Sequence, residues 1–352
     1  MTKVVVAMSG GVDSSVAAAL LKQQGYEVIG MMLRLWSEPG NEDSNRCCTP
    51  EALGLARRVA AKLGIPFYVV DAKEVFRETV VNYFLQGYAR GETPNPCLVC
   101  NREIRWTFLL EHALALGADF MATGHYVRKS VAGSVHQLLR AVDRSKDQSY
   151  ILYILKQEKL AKALFPVGDY TKPEIRRIAE TLELPTAARH DSQDLCFLAG
   201  DDYRNFLRRN APDMLTSGQI VTLAGEVVGR HTGLANYTIG QRKGLGISSR
   251  VPLYVLGKNA QTNTLIVCQQ PELGTRELIA HQANWISGLV PGAPFRAEVK
   301  SRYTASAAPA EVRPVEGNKV EVRFDSPQRD ITPGQSAVFY QGEVLMGGGI
   351  IH

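Results

Sequence analysis

Long apolar runs are missing from this chain. No stretch of its 352 residues approaches the roughly 18 consecutive apolar residues that a membrane span needs, so no membrane partner is expected. Cysteine is sparse: six in a chain of this length do not make a secreted disulfide framework. Met1-Thr2-Lys3 runs straight into an apolar strand with no signal-peptide layout, which predicts a cytoplasmic protein. In a reducing compartment the thiols are expected to be catalytic, metal-binding or simply buried. Internal repeats and low-complexity tracts are also absent, which excludes solenoid and disordered classes. What remains is an ordinary globular composition, 45% apolar and 21% charged. At this length it predicts two or three domains, since one core rarely serves more than about 250–300 residues.

A further absence sits beside the most informative motif. The apolar run Val4–Met8 leads directly into Ser9-Gly10-Gly11-Val12-Asp13-Ser14-Ser15, and no Gly-Lys-Ser/Thr follows. A buried strand, a glycine turn and an immediate helix form an anion site from backbone N–H groups and the helix dipole. Without a Walker lysine and its magnesium-holding hydroxyl, the loop is unsuited to gripping a γ-phosphate for transfer. It suits the pyrophosphate of ATP as a leaving group. The loop resembles the PP-loop of the ATP pyrophosphatases, enzymes that adenylate an oxygen and then displace AMP.

The first two hundred residues alternate strand and helix. Strands are expected at Val4–Met8, Tyr26–Leu33, Ile65–Val70 and Asp119–Thr123. Helices are expected at Ser14–Gln24, Glu51–Leu63, Glu74–Arg90, Arg102–Leu116 and Thr171–Leu182. That alternation predicts an α/β fold, a parallel sheet with helices on both faces and the ligand at the carboxyl ends of the strands. After about Asp202 a short helix is followed by β-like segments between Gly-, Pro- and Asn-rich turns. Lys319–Phe324 alternates as a half-buried strand does. The expected domains are 1–202, a catalytic nucleotide domain; 203–275, a small mixed central domain; and 276–352, a β-barrel. Between Arg230 and Arg302 nine Lys or Arg face three acids. Such a stretch can face phosphates or be a plain solvated surface.

Cys97 and Cys100 form a Cys-x-x-Cys directly after Thr93-Pro94-Asn95-Pro96. The prolines predict an extended turn, with a helix starting near Asn101 and Cys100 at its N-terminus, where a thiolate is stabilised. Cys196 lies far along the chain in Asp191-Ser192-Gln193-Asp194-Leu195-Cys196-Phe197. A catalytic pair needs one sulfur to attack and one to resolve, and the segment 191–200 has the composition of a mobile loop. Three other readings stay open. Zinc would take two of its four ligands from the Cys-x-x-Cys, and only Cys196 and the vicinal Cys47-Cys48 could complete the set, since no second Cys-x-x-Cys exists. An iron–sulfur cluster would take Cys97, Cys100 and Cys196 and leave one iron open. Cys268, in an apolar strand, reads as inert.

Further motifs follow in order: Thr-Pro-Asn-Pro-x-x-x-Cys-Asn, Ala122-Thr123-Gly124-His125-Tyr126, Lys146-Asp147-Gln148-Ser149-Tyr150 and Cys196-Phe197. Then come Gly229-x-His231-x-Gly233, Tyr237-Thr238-Ile239-Gly240-Gln241-Arg242-Lys243-Gly244-Leu245-Gly246 and Lys300-x-Arg302-Tyr303. Over essentially its whole length the chain resembles the tRNA-specific 2-thiouridylase family. The resemblance implies ATP-dependent replacement of O2 of the wobble uridine by sulfur in tRNAs for lysine, glutamate and glutamine. It implies ATP with magnesium as cosubstrate, tRNA as partner and a persulfide sulfur-donor protein. Carried over by motif, Cys196 is the persulfide carrier and Cys100 the attacking thiol. The ATP site maps to Ala7, Met8, Ser9, Gly10, Gly11, Val12, Asp13 and Ser14, with Leu33 near adenine and Gly124 near the nucleotide. Asn95, Pro96 and Cys97 fall where the family contacts the target base. Lys146, Asp147, Gln148, Arg302 and Tyr303 fall where it contacts tRNA. No dedicated metal site is assigned.

The chain departs from the family at Cys97, where many members carry an aspartate proposed as the acid/base near the uridine. A thiol has an unperturbed pKa of about 8.5 and matches that role less well near neutral pH; it also supplies a third thiolate for a cluster. Competing readings remain for others. His125 positions the nucleotide or is merely hydrogen-bonded locally. Asp13 serves magnesium–pyrophosphate or caps its helix. Tyr237 and Tyr303 stack on RNA bases or pack. The rival functions are another adenylating PP-loop enzyme and a non-catalytic RNA-binding nucleotide sensor; neither needs two separated cysteines.

Overall fold

The computed structural model describes residues 1–40, 49–190, 195–198, 200–329 and 331–352. Cys47 and Cys48 lie outside the described residues, as do 191–194 and 199 of the Cys196 segment. Strands β1 (Lys3–Ala7), β2 (Glu27–Arg34), β3 (Phe67–Asp71), β4 (Phe120–Thr123), β5 (Arg128–Ala132), β6 (Val135–Leu139) and β7 (Ala163–Leu164) occupy the first half of the chain. Five of them form a parallel sheet in the order β3-β2-β1-β4-β7. Its two faces explain the unbroken apolar run of β1. Val4 and Val6 pack with Val16, Ala17, Val59 and Ile175 under the helices Val12–Gln23, Pro50–Leu63 and Lys172–Thr181. Val5 points the other way, into a core with Trp106, Leu109 and Tyr150. The chain reverses direction across the sheet between β1 and β4, so the loops after those strands diverge and leave a crevice at their carboxyl ends.

Two helices differ from expectation. The run 73–89 is continuous, as predicted, but widens to a π-helix over Arg77–Val81. The helix expected near Asn101 begins at Pro96 and runs to Ala115, π-helical over Cys100–Leu109. Proline loses nothing at a first helical position, whose N–H has no partner there anyway. Asn95 supplies the cap, its side-chain oxygen accepting the Cys97 N–H at 3.1 Å. Cys100 is therefore the fifth helical residue, one turn in, and it is Cys97 that sits in the first turn.

The second half carries two more sheets. β8 (Gly218–Thr222), β9 (Val227–His231), β10 (Leu253–Asn259) and β11 (Thr264–Gln269) form a four-stranded central unit in the order β10-β11-β8-β9. β12 (Thr275–Trp285), β13 (Phe295–Lys300), β14 (Ala308–Val315), β15 (Lys319–Gln328), β16 (Ser336–Gln341) and β17 (Val344–Ile351) follow. In the order β12-β15-β14-β13-β16-β17, with β17 pairing back to β12, they close a six-stranded barrel. The hairpin β5–β6 leaves the first domain and pairs with β17. No described helix is long and apolar enough to cross a membrane.

The barrel is fastened to the parallel sheet. Val338, Tyr340 and Leu345 share the core of Val5 and Trp106. Tyr150 Oη donates to the Ser336 carbonyl at 2.9 Å, and Ser149 Oγ lies 3.0 Å from Tyr340 Oη. Arg128 pairs with Glu343 and Arg140 with Glu298 at the rim. The barrel also holds the loop before the Cys-x-x-Cys: Thr93 N–H donates to the Pro333 carbonyl at 2.9 Å, and Gln335 Nε2 donates to the Thr93 carbonyl at 2.7 Å.

Candidate functional site: a nucleotide cavity shared with a thiol

A cavity of about 590 Å³ opens at the carboxyl ends of β1, β2 and β4, within the range of about 300–1,000 Å³ usual for small-molecule sites. Ala7, Met8, Ser9, Gly11, Val12, Asp13, Ser14, Leu33 and Gly124 line it. Gly10 alone of the expected nucleotide residues does not; its backbone adopts φ +70° and its carbonyl accepts Arg189 Nη1 at 2.6 Å. The helix after the turn starts with no side-chain cap at Gly11, so its first N–H groups are left for a ligand. A Cβ on Gly124 would stand 2.7 Å from Ser14 N, so glycine is required for the β4 loop to approach this helix end. These features fit a bound polyphosphate.

Asp13 does not cap its helix. Its carboxylate accepts Lys172 Nζ at 2.8 and 2.9 Å and Tyr126 Oη at 2.7 Å. Among the described residues it is the only carboxylate lining the cavity, against Arg105, Lys146, Lys172 and Arg189. The surplus of positive charge suits an anionic ligand. Tyr126 is fixed in turn by Gln148: its N–H donates to Gln148 Oε1 at 3.0 Å and its carbonyl accepts the Gln148 N–H at 2.8 Å.

His125 is buried at the back of the site. Nδ1 lies 2.8 Å from Thr123 Oγ1, and Arg105 Nη1 lies 3.4 Å from Nε2. Burial, and then the Arg105 charge, push its pKa down to about 3. It is therefore neutral at working pH. The shift has a thermodynamic consequence. Between about pH 3 and 6.5 the unfolded chain holds a proton on this residue that the folded chain does not, so stability rises with pH by up to about 1.4 kcal/mol per unit. His125→Gln is expected to flatten that part of the profile, read by urea unfolding from pH 4.5 to 7. An unchanged slope would refute a buried neutral His125.

The cysteines divide. Cys100 lines the cavity and is buried at 7% exposure. Cys196 opens a 3-10 turn, Cys196–Leu198, and packs, partly buried, against the aromatic cluster of Phe76, Phe84, Phe197 and Phe206 that also includes Cys100. The fold thus brings residues 100 and 196 to one cluster. Cys97 is half-buried and lies near Tyr303, and Asn101 Nδ2 donates to its carbonyl at 2.9 Å. Cys268 is buried, its thiol pKa raised by that burial and by Glu272, as the inert reading requires. Among the described residues no three His, Cys, Asp or Glu side chains gather to hold a metal ion.

The remaining expected residues are dispersed. Asn95 is spent as a helix cap and Pro96 is buried beneath it. Lys146, Gln148 and Tyr303 line the cavity. The Asp147 carboxylate turns inward, accepting the Ala141 N–H at 2.9 Å and Ser149 Oγ at 2.7 Å. Arg302 reaches the Ile239 carbonyl at 3.1 Å and Thr332 Oγ1, joining the central unit to the barrel. Beside it Arg204 and Lys243 line a smaller basic hollow of about 390 Å³. Tyr237 is buried in the central core, so packing wins there, whereas Tyr303 is 39% exposed. Sequence reasoning missed Lys172, Arg189, Arg105 and Tyr126. For Lys172 one signal existed: it is a cation at the first position of a helix, where the dipole disfavours one.

A parallel α/β sheet with an uncapped glycine loop at its switch point, followed by a small β unit and a closed barrel, defines a PP-loop nucleotide domain of the HUP class with two appended β domains. Family models described as tRNA methyl transferase HUP domain, tRNA methyl transferase PRC-barrel domain and aminomethyltransferase beta-barrel domain match residues 2–200, 204–269 and 275–351. The chain is 50% identical over 370 residues to the tRNA-specific 2-thiouridylase MnmA of Roseiflexus castenholzii, covering 100% of this chain and 99% of that one. It is 48% identical over 354 residues to MnmA 1 of Caldanaerobacter subterraneus subsp. tengcongensis, covering 99% and 97%. The chain belongs to the tRNA-specific 2-thiouridylase family.

Proposed function

We propose that this protein is a cytoplasmic tRNA-uridine 2-sulfurtransferase. It uses ATP to replace O2 of the wobble uridine by sulfur in tRNAs for lysine, glutamate and glutamine. The observation that carries the reading is the shared cavity: the glycine loop and the Cys100 side chain line the same space. An anion site facing a thiol is what activation followed by sulfur transfer needs.

The uridine C2 oxygen is a poor leaving group. Its attack on the α-phosphorus of ATP releases pyrophosphate, and the oxygen can then depart as part of AMP. The backbone N–H groups of Gly11 to Ser14 hold the phosphates, and Leu33 and Gly124 flank the nucleoside; Asp13 would hold magnesium, which would offset charge on the pyrophosphate. A donor protein loads Cys196 as a persulfide. The outer sulfur bonds to C2 as the C2–O bond to AMP breaks. The Cys100 thiolate then attacks the inner sulfur of Cys196, leaving sulfur on C2 and a Cys100–Cys196 disulfide for external reduction. Asn95, Pro96 and Cys97 face the base. Lys146, Asp147, Gln148, Arg302 and Tyr303, with the basic stretch 230–302, form the tRNA footprint. The working units are the nucleotide domain 1–202, a central domain 203–275 and the barrel 276–352.

The test combines two readouts. The full chain, with ATP, target tRNA and a persulfide donor, is expected to yield AMP and pyrophosphate together with 2-thiouridine, the last detected by nucleoside mass spectrometry. ADP as the nucleotide product, or unmodified uridine, would sink the proposal.

A further inference from the structure

We propose that Lys300 is a positioning residue for the target base: its ammonium holds the ring of Tyr303 in the cavity wall as the platform on which the wobble uridine stacks. The inference rests on the proposed function for the identity of that base, and on side-chain geometry for the rest.

Tyr303 has the place of such a platform. It lines the cavity, is 39% exposed and lies near Cys97 in the first turn of the helix that starts at Pro96. An aromatic face accepts any base, because every base has a π-face of its own. Among the described residues the Tyr303 hydroxyl makes no hydrogen bond, and ring contacts hold the side chain. Tyr150 meets it edge to face, with centroids 5.9 Å apart and planes at 68°. Tyr150 is itself fixed: it is wholly buried, and its hydroxyl donates to the Ser336 carbonyl at 2.9 Å. Lys300 supplies the second contact. Its Nζ stands 5.5 Å from the Tyr303 centroid and 5.9 Å from the Tyr150 centroid, inside the reach of about 6 Å over which a ring attracts a cation.

Lys300 is delivered there by the barrel. It is the last residue of β13, where it pairs with Val338 of β16. A turn follows, with the Ala305 N–H donating to the Arg302 carbonyl at 3.2 Å, and brings Tyr303 back over the lysine. The intervening Arg302 reaches instead to the Ile239 carbonyl. No hydrogen bond or ion pair joins the Lys300 ammonium to another described residue. Burial lowers its pKa, the cost of moving a cation from water onto two rings, while Asp147 favours its charged form. That carboxylate is already bonded to the Ala141 N–H and Ser149 Oγ, so it balances the charge without drawing the ammonium off the rings. Without the ammonium, Tyr303 would keep one edge contact and turn freely about its side-chain bonds.

Binding of anticodon-arm RNA hairpins to the full chain, without ATP, tests this. One hairpin carries the wobble uridine of a target tRNA, the other an abasic site in its place. The unaltered protein is expected to prefer the uridine hairpin by about 5- to 100-fold, the worth of stacking one base on an aromatic ring. Lys300→Met is expected to cut that preference by about 2- to 5-fold and to leave the affinity and salt dependence of the abasic hairpin unchanged. Lys300→Gln, a second uncharged variant, is expected to match it, and Lys300→Arg, which keeps a cation over the rings, to restore the preference. In a Tyr303→Ala background Lys300→Met is expected to change the preference no further, because the lysine acts through the ring. Equal weakening of both hairpins with a shallower salt slope would make Lys300 a phosphate contact and overturn the inference. Additive losses in the double variant, or an unchanged preference in Lys300→Met, would overturn it as well. If the unaltered protein thiolates tRNA yet binds both hairpins alike, the platform falls and the proposed reaction stands. If the preference falls as expected in Lys300→Met but the unaltered protein forms no 2-thiouridine, the lysine assignment stands and the proposed reaction falls.

Discussion

Cys196→Ser is expected to leave target tRNA without 2-thiouridine and to accept no labelled sulfur from a persulfide donor. A hydroxyl cannot carry a sulfane sulfur, so both readouts fall to background. Cys100→Ser is expected to fail differently. Cys196 is still present to be loaded, so labelled sulfur reaches the protein, but nothing resolves the sulfur–sulfur bond and the reaction stalls. Cys268→Ser is expected to remain active, because that thiol lies buried in β11. The two critical residues are 96 positions apart in sequence yet belong to one apolar cluster. A disulfide between them requires Cα atoms within roughly 4.4–6.8 Å, so trapping of a Cys100–Cys196 disulfide after one turnover is the companion measurement. Activity that needs anaerobic reconstitution and tracks iron content would instead make Cys97, Cys100 and Cys196 cluster ligands and defeat the persulfide assignment.

The parts of the fold read correctly from the residues are those where one local signal dominates. Val4–Val6 can only be a strand buried on both faces, and Gly10-Gly11 after it can only be a tight turn into a helix. Lys319–Phe324 alternates exposed and buried as a barrel wall must, and β15 runs on to Gln328 with the alternation ended at Phe324. What was missed had its signal reversed by tertiary contacts. No strand is named from the residues over 344–351, yet Gly347, Gly348 and Gly349 lie inside β17, where a Cβ on Gly348 would stand 2.8 Å from the Ala337 carbonyl oxygen of the neighbouring strand. Pro94 and Pro96 look like helix breakers, yet Pro96 is the first residue of the helix that carries both cysteines of the Cys-x-x-Cys. The hairpin 128–139 is half-exposed and polar, and only its pairing with β17 makes it structural.

The site shows the same division. Backbone chemistry within seven consecutive residues was legible, since glycine, strand and helix signals lie side by side. The cations were not. Lys172 meets Asp13 across 159 positions and Arg189 meets Gly10 across 179. No periodicity or spacing encodes those encounters. They follow from the parallel order of the sheet, which lays the helix Lys172–Thr181 beside the helix Val12–Gln23.

Gly10→Ala is expected to lower folding stability by about 2–5 kcal/mol and to abolish nucleotide binding, whereas Gly11→Ala is expected to keep the fold. The adjacent glycines meet different physics. Gly10 sits at φ +70°, where an L-residue costs about 1–2 kcal/mol. Its Cβ would also press on the Ala52 carbonyl, 3.0 Å from the carbonyl carbon, and stand 2.9 Å from Arg189 Nη1. Ala52 is wholly buried in the first turn of the helix Pro50–Leu63 and cannot retreat, so overpacking adds about 1–3 kcal/mol. Gly11 has φ −89°, an ordinary extended value, and its Cβ would meet only Ser9 Oγ at 3.3 Å. Any loss in Gly11→Ala should therefore appear in ATP affinity alone, because that Cβ faces the cavity and not the core. Thermal unfolding with and without ATP separates the two. Gly10→Ala should melt early and show no shift with ATP; Gly11→Ala should melt near the unaltered protein with a reduced shift. Equal melting of both variants would mean that the turn tolerates a side chain at Gly10, and that the left-handed conformation there is not what shapes the phosphate site.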